Sequence, residues 1–205
     1  MEYKPSNPSW CYTYVDVPNL EMIKKELLLV LEMDQPITPT FYVNRFVKDF
    51  IQVTPYLNAY LKNMGVLDKF YRALFSSPSK IVVPIRGKLT KIHVDAYDKH
   101  GEYSLNIPLV DCLNSYTCWY TAPVQPYNPN SDKILNLSNF ALCDDTQAIE
   151  ICRVETIRPM IMNTTIPHRA LTEKSTRVLA CLRFQPELTY EELARFGVFP
   201  NDPKL

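Results

Sequence analysis

The sequence predicts a mainly β fold in which helices flank a many-stranded antiparallel barrel or double sheet. Apolar residues follow a helical spacing in the first third of the chain, whereas from about residue 80 short runs rich in β-branched and aromatic residues alternate with polar clusters. With 46% hydrophobic and 12% aromatic residues, the composition is that of a globular protein. Helices followed by many short strands indicate a β core with helices packed outside it.

Residues 1–78 are predicted to be mostly helical and to support the β core. Pro18 favours the first turn of a helix over residues 18–33. Four apolar residues of that segment recur at helical intervals: Leu20, Ile23, Leu27 and Val30. The helical pattern continues over residues 42–65, and residues 67–75 are interpreted as one or two further helical turns.

The β core is expected over residues 79–186, with a long insertion at 122–147 between strands. The predicted strands lie within residues 80–97, 102–112, 116–122, 148–157, 158–167 and 176–184. A C-terminal helix and tail follow at 187–205, where Thr189 and Glu192 have the spacing of a capping box. We find no linker and no repeat, so residues 1–205 are predicted to form one domain.

Charge and cysteine content restrict the function. The 22 basic and 22 acidic residues balance, which argues against broad electrostatic binding of a nucleic acid; a local basic groove is the alternative. The six cysteines contain no CxxC pair, and so we expect reduced thiols in a cytoplasmic compartment. The longest apolar run, residues 27–31, is far too short to span a membrane, and the N-terminus does not have the pattern of a signal peptide.

A histidine and a carboxylate are placed on one face of a predicted strand. His93 and Asp95 are two residues apart, and side chains at this spacing leave a strand on the same side. An H-x-D tripeptide alone occurs often by accident. His168 follows one apolar predicted strand and precedes another. The third histidine, His100, is expected in a solvated turn beside Gly101.

The last predicted strand has two faces of different character. One face carries only apolar residues: Val178, Ala180, Leu182 and Phe184. We expect this face to pack against helices or the other sheet. Arg177 and Arg183 lie on the opposite face, together with Leu179 and Cys181, and we expect these arginines to be directed into the mouth of the barrel. Solvated surface arginines are the alternative.

The order of these residues resembles that of the 2-oxoglutarate/Fe(II)-dependent oxygenases. In that family a double-stranded β-helix, a cupin-like jelly roll, carries the motif H-x-D…H…R. The matching positions are His93, Asp95, His168 and Arg177, and the resemblance covers roughly residues 80–184. Segments such as "LNIPLVDC" and "TRVLACLRF" also look like those of compact aspartyl/asparaginyl- or prolyl-hydroxylase-type members. The resemblance therefore implies a jelly-roll barrel supported by the N-terminal helices.

The resemblance implies that His93, Asp95 and His168 hold Fe(II). Two imidazoles and one carboxylate leave open positions for 2-oxoglutarate and O2. Arg177 would hold the far carboxylate of 2-oxoglutarate, because a planar guanidinium forms two parallel hydrogen bonds with a carboxylate. Arg183 on the same strand face is the alternative partner. Asn106 lies on the predicted strand that follows the H-x-D motif. It would lie against the cosubstrate, or else make a hydrogen bond at a turn or sheet edge.

The implied activity is oxidative decarboxylation of 2-oxoglutarate coupled to hydroxylation of a C–H bond. The expected substrate is a small molecule, or an amino-acid or protein side chain. Three aromatic residues are candidates for a pocket wall, although strand aromatics usually belong to the core: Tyr103, Trp119 and Tyr120. Two alternatives remain: a non-catalytic jelly-roll binding or structural module with relict metal residues, and a cupin-type metal enzyme without cosubstrate, which typically needs more than three histidines.

Overall fold

The computed structural model describes residues 11–32, 42–46, 52–76, 92–95, 102–123, 141–172 and 177–198. Within these ranges the protein is mainly β, with eleven strands and three α-helices. The strands are β1 (Tyr12–Tyr14), β2 (Tyr42–Phe46), β3 (Phe70–Ser76), β4 (His93–Val94), β5 (Tyr103–Val110), β6 (Ser115–Thr121), β7 (Ala141–Leu142), β8 (Ile149–Glu155), β9 (Met160–Asn163), β10 (His168–Thr172) and β11 (Val178–Phe184). The helices are α1 (Leu20–Glu32), α2 (Pro55–Asn63) and α3 (Tyr190–Arg195).

The described strands form two antiparallel sheets, which confirms the predicted β core as a double sheet. The six-stranded sheet has the order β1-β9-β5-β11-β3-β2, and the five-stranded sheet has the order β7-β4-β10-β6-β8. Four of the pairs are nested along the chain: β3 with β11, β4 with β10, β5 with β9, and β6 with β8. Among the described residues the strands do not close into one continuous barrel, and the two sheets form a sandwich.

The helices cover the outer face of the six-stranded sheet. The main hydrophobic cluster joins Leu27 of α1 and Leu57 of α2 to three apolar residues of β11, all of them buried, whereas Val178 at the start of β11 is half-buried. The predicted alternation of β11 is confirmed, because Ala180, Leu182 and Phe184 lie in this cluster whereas Arg183 does not. Burial of each large apolar side chain in such a cluster contributes about 1.5–3 kcal/mol to folding.

The inner faces of the two sheets pack against each other. Met160 and Met162 of β9 in the six-stranded sheet form a buried cluster with Trp119 of β6 and Val154 of β8 in the other sheet. Contacts of this kind place the opposite face of β11, with its arginines, toward the space between the sheets. The buried arginines therefore lie between the two sheets.

Two of the helices are anchored by side-chain carboxylates. Thr54 precedes α2 but makes no side-chain capping bond; instead Glu26 of α1 accepts hydrogen bonds from the backbone N–H groups of Tyr56 and Leu57, at 2.8 and 3.0 Å. The capping box predicted at Thr189 and Glu192 is confirmed at the start of α3. Because the first N–H groups of a helix have no partner within the helix, these carboxylates satisfy donors that burial would otherwise penalise.

The prediction that residues 1–78 are mostly helical is wrong for three segments. Residues 42–46 and 70–76 are strands β2 and β3, and residues 12–14 form β1 at the edge of the six-stranded sheet. Helical spacing was inferred for β3 because a short apolar run has no unambiguous period. Its conformation follows from pairing with β11 and β2, where Ala73 and Phe75 enter the main core.

Parts of the predicted insertion at 122–147 are described. Its last residues include β7, which pairs with β4, and a 3-10 turn at Asp145–Gln147, so this end of the segment belongs to the five-stranded sheet. Residues 124–140, His100 and the tail beyond residue 198 lie outside the described residues. In the described part of the chain, no helix combines the length and apolar character needed to cross a membrane.

Candidate metal centre

The two motif histidines lie opposite each other on neighbouring strands. β4 and β10 pair antiparallel, and His93 is the direct register partner of His168. Residues opposite each other in an antiparallel pair project to the same face of the sheet. The two imidazole rings accordingly lie with their centroids 4.6 Å apart. Pairing of β4 with β10 thus joins two histidines that are distant in the chain.

Asp95 completes a group of three potential metal ligands. It follows β4 directly, and its backbone N–H donates to the carbonyl of Thr164 at 3.0 Å, which holds the chain just beyond the strand. Its Oδ1 lies 3.2 Å from Nε2 of His93, and its Oδ2 lies 3.8 Å from Nε2 of His168. We refer to His93, Asp95 and His168 as the His–Asp–His group. Its three ligand atoms all lie within 4.8 Å of one another.

These separations are suitable for one divalent metal ion. Ligand atoms at about 2.0–2.2 Å from a common metal, with angles of roughly 90–110°, are about 3–3.6 Å apart. Two imidazoles and one carboxylate, with further positions open, are the set used by non-haem Fe(II) enzymes, although the same donors also suit other divalent ions. The arrangement of the group therefore fits a metal but does not by itself select one.

Hydrogen bonds to the outer atoms orient two of the ligands. Nδ1 of His168 lies 2.8 Å from the carbonyl oxygen of Ile166. Because a carbonyl only accepts, Nδ1 carries the proton, and Nε2 keeps its lone pair on the side of Asp95. Arg183 donates to Oδ2 of Asp95, whereas the buried Oδ1 faces Nε2 of His93 at 3.2 Å. A buried carboxylate oxygen in this state is suited to bind a metal ion.

The protonation states also favour ligation of a metal. Burial lowers the pKa of His168 to about 4, so its imidazole is neutral near neutral pH. Burial alone would raise the pKa of Asp95, but the charge of Arg183, followed by the interactions with His168 and His93, keeps this pKa well below its usual value. A neutral imidazole and an ionised carboxylate are the forms that bind metals.

Arg183 is buried beside the His–Asp–His group. Its guanidinium forms an ion pair with Asp95, and its side chain is about as buried as that of its partner, at 5% and 6% exposure. Within the described residues, Nε and Nη1 of Arg183 make no hydrogen bond. Burial of such donors without an acceptor costs about 1–3 kcal/mol each. The environment of Arg183 therefore suits a second, anionic acceptor near the metal position.

A second arginine, which the sequence analysis did not single out, lies next to Arg183. Arg72 of β3 is its direct register partner and is also buried. The register then shifts, so that Phe184 pairs with Phe70 and Tyr71 is an extra residue in a β-bulge. The guanidinium of Arg72 lies 5.0 Å from the centre of the Tyr71 ring. β-Bulges often occur where a sheet redirects side chains near a site. The helical interpretation of residues 67–75 concealed this pair, because it removed their alternation.

Arg177 and Asn106 lie on the six-stranded sheet and are both buried. Arg177 immediately precedes β11, is 1% exposed, and contacts the thiol of Cys112. Asn106 lies on β5 opposite Cys181; its amide oxygen accepts from Ser104 at 2.9 Å, and its amide nitrogen lies 2.7 Å from the sulfur of Met162. The edge or turn position considered for Asn106 is therefore wrong, because β5 is an interior strand.

The three aromatic candidates belong to three different hydrophobic clusters. Trp119 is fully buried, stacks on Tyr12 with centroids 5.5 Å apart, and donates from its indole N–H to the carbonyl of Asn163. It is also the register partner of His168, so it borders the metal centre from within the core. Tyr120 points to the other face, where its hydroxyl accepts from Arg169. Tyr103 packs at the margin of the main core.

No protein-family model matches this chain, and no curated protein matches it.

Proposed function

We propose that this protein is a non-haem Fe(II) dioxygenase that couples oxidative decarboxylation of 2-oxoglutarate to hydroxylation of a C–H bond. The observation that carries the proposal is the convergence of His93, Asp95 and His168 between two β-sheets, with a buried arginine beside them. A metal-binding group alone is compatible with many proteins. Next to this group, Nε and Nη1 of the buried Arg183 make no hydrogen bond within the described residues. A buried guanidinium with such donors favours an anionic cosubstrate at the metal.

The topology supports a jelly roll. A jelly roll is a long antiparallel hairpin folded over into two sheets, so its strands pair from the outside inward. The nested pairs β3–β11, β4–β10, β5–β9 and β6–β8 follow this rule, and each sheet contains two of them. We propose that β3–β6 and β8–β11 are the eight strands of a double-stranded β-helix, with β1, β2 and β7 added at its edges.

In this proposal each ligand has its own structural support. His93 and His168 present nitrogen atoms from paired strands, and Asp95 presents its Oδ1 while Oδ2 remains bound to Arg183. Fe(II) held by these residues would activate O2, the oxidant: one oxygen atom would enter 2-oxoglutarate, which leaves as succinate and CO2, and the other would convert the C–H bond to C–OH. The lowered pKa values of His168 and Asp95 keep the imidazole neutral and the carboxylate ionised near neutral pH. Neither side chain then has to lose a proton before it binds the metal.

The two arginines are proposed to hold 2-oxoglutarate at different points. Arg177 would bind the far carboxylate, as the resemblance to the oxygenases implies. Arg183, which already contacts Asp95, would use Nε and Nη1 to bind the carboxylate nearest the metal. Asn106 lies on β5, which pairs with β11, at a register position between the two arginines. Its side chain would contact one side of the bound cosubstrate. Two cations for one dianion would offset the cost of removing it from water.

We propose an amino-acid or protein side chain, or a related small molecule, as the substrate, and the cytoplasm as the compartment. A reducing compartment agrees with the six cysteines, all of which are free thiols. The formal net charge of zero gives no support to binding of a long nucleic acid. The oligomeric state does not enter the proposal.

Two measurements test the activity without knowledge of the substrate. Anaerobic addition of Fe(II) and 2-oxoglutarate to the purified protein should produce a weak visible charge-transfer band. Admission of O2 should then release succinate slowly, in an Fe(II)-dependent manner. Asp95→Ala should abolish succinate formation because one of three protein ligands is lost. Asp16→Ala is the matched control, because the side chain of Asp16 is 99% exposed and lies in a surface ion pair.

A non-catalytic module with relict metal residues would give a different result. Such a protein could bind Fe(II), but it would show neither the band with 2-oxoglutarate nor succinate above the level of Asp95→Ala. Equal succinate from the wild type and Asp95→Ala, with Asp16→Ala also equal, would refute the catalytic proposal.

A further inference from the structure

Two cysteines on different sheets meet at the open side of the sandwich. Cys11 directly precedes β1, the edge strand of the six-stranded sheet, and Cys152 lies on β8, the edge strand of the five-stranded sheet. Both belong to the buried cluster around Trp119, Met160 and Met162. Both are free thiols. β1 and β8 belong to different sheets, so no strand pairing joins the two segments that carry these cysteines.

Independent contacts fix the position of each cysteine. The carbonyl of Cys11 accepts from the backbone N–H of Asn163 at 2.8 Å, and the carbonyl of Asn163 accepts from the indole of Trp119 at 3.2 Å. Trp119 is in turn the register partner of Cys152. Stacking of Tyr12 on Trp119 holds the start of β1 against the same surface. These contacts place both thiols against one cluster beside Trp119, close enough that each shifts the pKa of the other.

We propose that Cys11 and Cys152 are a redox-active pair that forms an intrachain disulfide bond on exposure to a hydroperoxide such as hydrogen peroxide. This inference does not depend on the proposed dioxygenase activity. The bridge would tie the edge strand β1 to the edge strand β8 and so close one side of the sandwich covalently. It is a modification site of the fold: neither cysteine belongs to the His–Asp–His group, and Cys152 lies across Trp119 from His168.

The environments of the two thiols give them different roles. Cys152 is partly exposed, and its interaction with the Cys11 thiol lowers its pKa against the opposing effect of burial. Cys11 is buried, and the pKa of its thiol is raised by the interaction with Cys152 and by burial. Reactive cysteines are those that are accessible and have thiolate character. Cys152 is thus the thiol that attacks the peroxide, and Cys11 is the thiol that resolves the product.

The chemistry balances in two steps. The sulfur of Cys152 attacks one oxygen of hydrogen peroxide, the O–O bond breaks, and Cys152 becomes a sulfenic acid while one water leaves. The sulfur of Cys11 then attacks the sulfenic sulfur; the S–S bond forms, the S–O bond breaks, and the departing hydroxide takes the proton of Cys11 as a second water. Two thiols lose two electrons in total, and one peroxide gains them.

The first experiment uses the reduced wild-type protein after removal of the reductant. The protein is treated with a small excess of hydrogen peroxide, quenched with catalase, denatured and alkylated. We expect two fewer alkylated cysteines than the six of the reduced chain. Peptide mapping should place the bridge between Cys11 and Cys152. Full alkylation at six positions, a bridge between other cysteines or a bridge between two chains would each overturn the proposal.

Single substitutions test the order of the steps. In Cys11→Ser the reaction should stop at the sulfenic acid, which dimedone labels at Cys152, whereas the wild type should remain unlabelled. In Cys152→Ser neither the label nor the bridge should form at the same peroxide dose. Cys118→Ser is the matched control, because Cys118 is fully buried in a separate cluster. Bridge formation must persist in this control, and dimedone labelling at Cys11 instead of Cys152 would overturn the assigned roles.

The thermal unfolding midpoint provides a readout on the wild type alone. A bridge that closes a loop of more than 100 residues should raise the midpoint by about 5 °C or more, because it restricts the unfolded chain. Addition of a reductant should reverse the rise. A bridge that forms without any rise would show that the thiols are not aligned in the native fold, contrary to the proposal.

Discussion

Arg183 of the six-stranded sheet donates a hydrogen bond to Asp95, which follows a strand of the five-stranded sheet, and this pair connects the two sheets at the His–Asp–His group. Both side chains are buried. The pair leaves two guanidinium nitrogens of Arg183 without hydrogen bonds among the described residues, and Oδ1 of Asp95 faces Nε2 of His93. The same contact therefore orients a potential metal ligand and holds a cation next to the His–Asp–His group.

The first prediction concerns metal binding. His93→Ala, Asp95→Ala and His168→Ala should each weaken binding of Fe(II), or of Mn(II) as an air-stable substitute, by at least about 10-fold, because one of three protein ligands is lost. Titration followed by calorimetry or by the electron paramagnetic resonance signal of Mn(II) measures the effect. The third histidine is the control of the same residue type: His100→Ala should bind as the wild type does. Unchanged binding in His168→Ala would contradict the three-ligand centre.

The second prediction separates the two arginines. Arg177→Ala should lower the affinity for 2-oxoglutarate by about 30-fold or more, the equivalent of about 2–5 kcal/mol, because it leaves a desolvated carboxylate without its partner. Metal affinity should remain nearly unchanged. Arg177→Lys should be intermediate, since lysine keeps the charge but lacks the planar fork. The dissociation constants for 2-oxoglutarate at fixed Fe(II) measure both effects.

Arg183→Ala should instead impair both metal and cosubstrate binding. Loss of its guanidinium leaves Asp95 as a buried charge without this partner, and loss of such an outer partner commonly costs about 10–100-fold in metal affinity. If Arg183 were a surface residue, Arg183→Ala would have a smaller effect than Arg177→Ala. The burial of the Arg183 side chain argues against a surface position. Normal metal binding in Arg183→Ala would show that Asp95 does not depend on Arg183 for its orientation.

The third prediction is an acid-dependent loss of stability in the metal-free protein. The pKa of His168 is about 4 in the folded state, compared with 6.5 as its ordinary value. The unfolded chain therefore binds more protons between these pH values, and the free energy of unfolding should fall by up to about 3 kcal/mol as pH decreases from 6.5 to 4. The depressed pKa of Asp95 adds a further loss below its ordinary value of 3.8.

Urea unfolding at several pH values measures this dependence. His168→Gln removes the titrating group, so its free energy of unfolding should have a smaller slope over the same pH range, whatever its absolute stability. A variant with the full wild-type slope would mean that other groups cause the loss.

The fourth prediction concerns the support of the fold away from the site. Glu26→Ala should lower the free energy of unfolding by about 1–3 kcal/mol, because two backbone N–H groups at the start of α2 lose their acceptor. Glu26→Gln should cost less, since the amide oxygen still accepts one hydrogen bond. Glu21→Ala on the same helix is the control: the side chain of Glu21 is 78% exposed, and a change within about 0.5 kcal/mol is expected. Equal losses for Glu26 and Glu21 would contradict the capping role.

Local patterns in the sequence were sufficient for several features of the structure. The helical spacing of Ile23 and Leu27, the capping box at Thr189, and the two faces of β11 all depend on residues that are close in the chain. The spacing of His93 and Asp95 likewise defines which way both side chains project. Short-range periodicity is retained in the fold because the two faces of each segment meet different surroundings; in β11 one face meets the main core and the other carries the buried Arg183.

The tertiary structure decided which distant residues meet. β3 is a strand because β11 and β2 pair with it, and its own apolar run is compatible with helix or strand. The contact between His93 and His168 depends on the register of β4 with β10, and that between Arg183 and Asp95 depends on how one sheet faces the other. Register and sheet packing arise from contacts summed over many residues, so no local pattern at Arg183 could predict that its partner is Asp95.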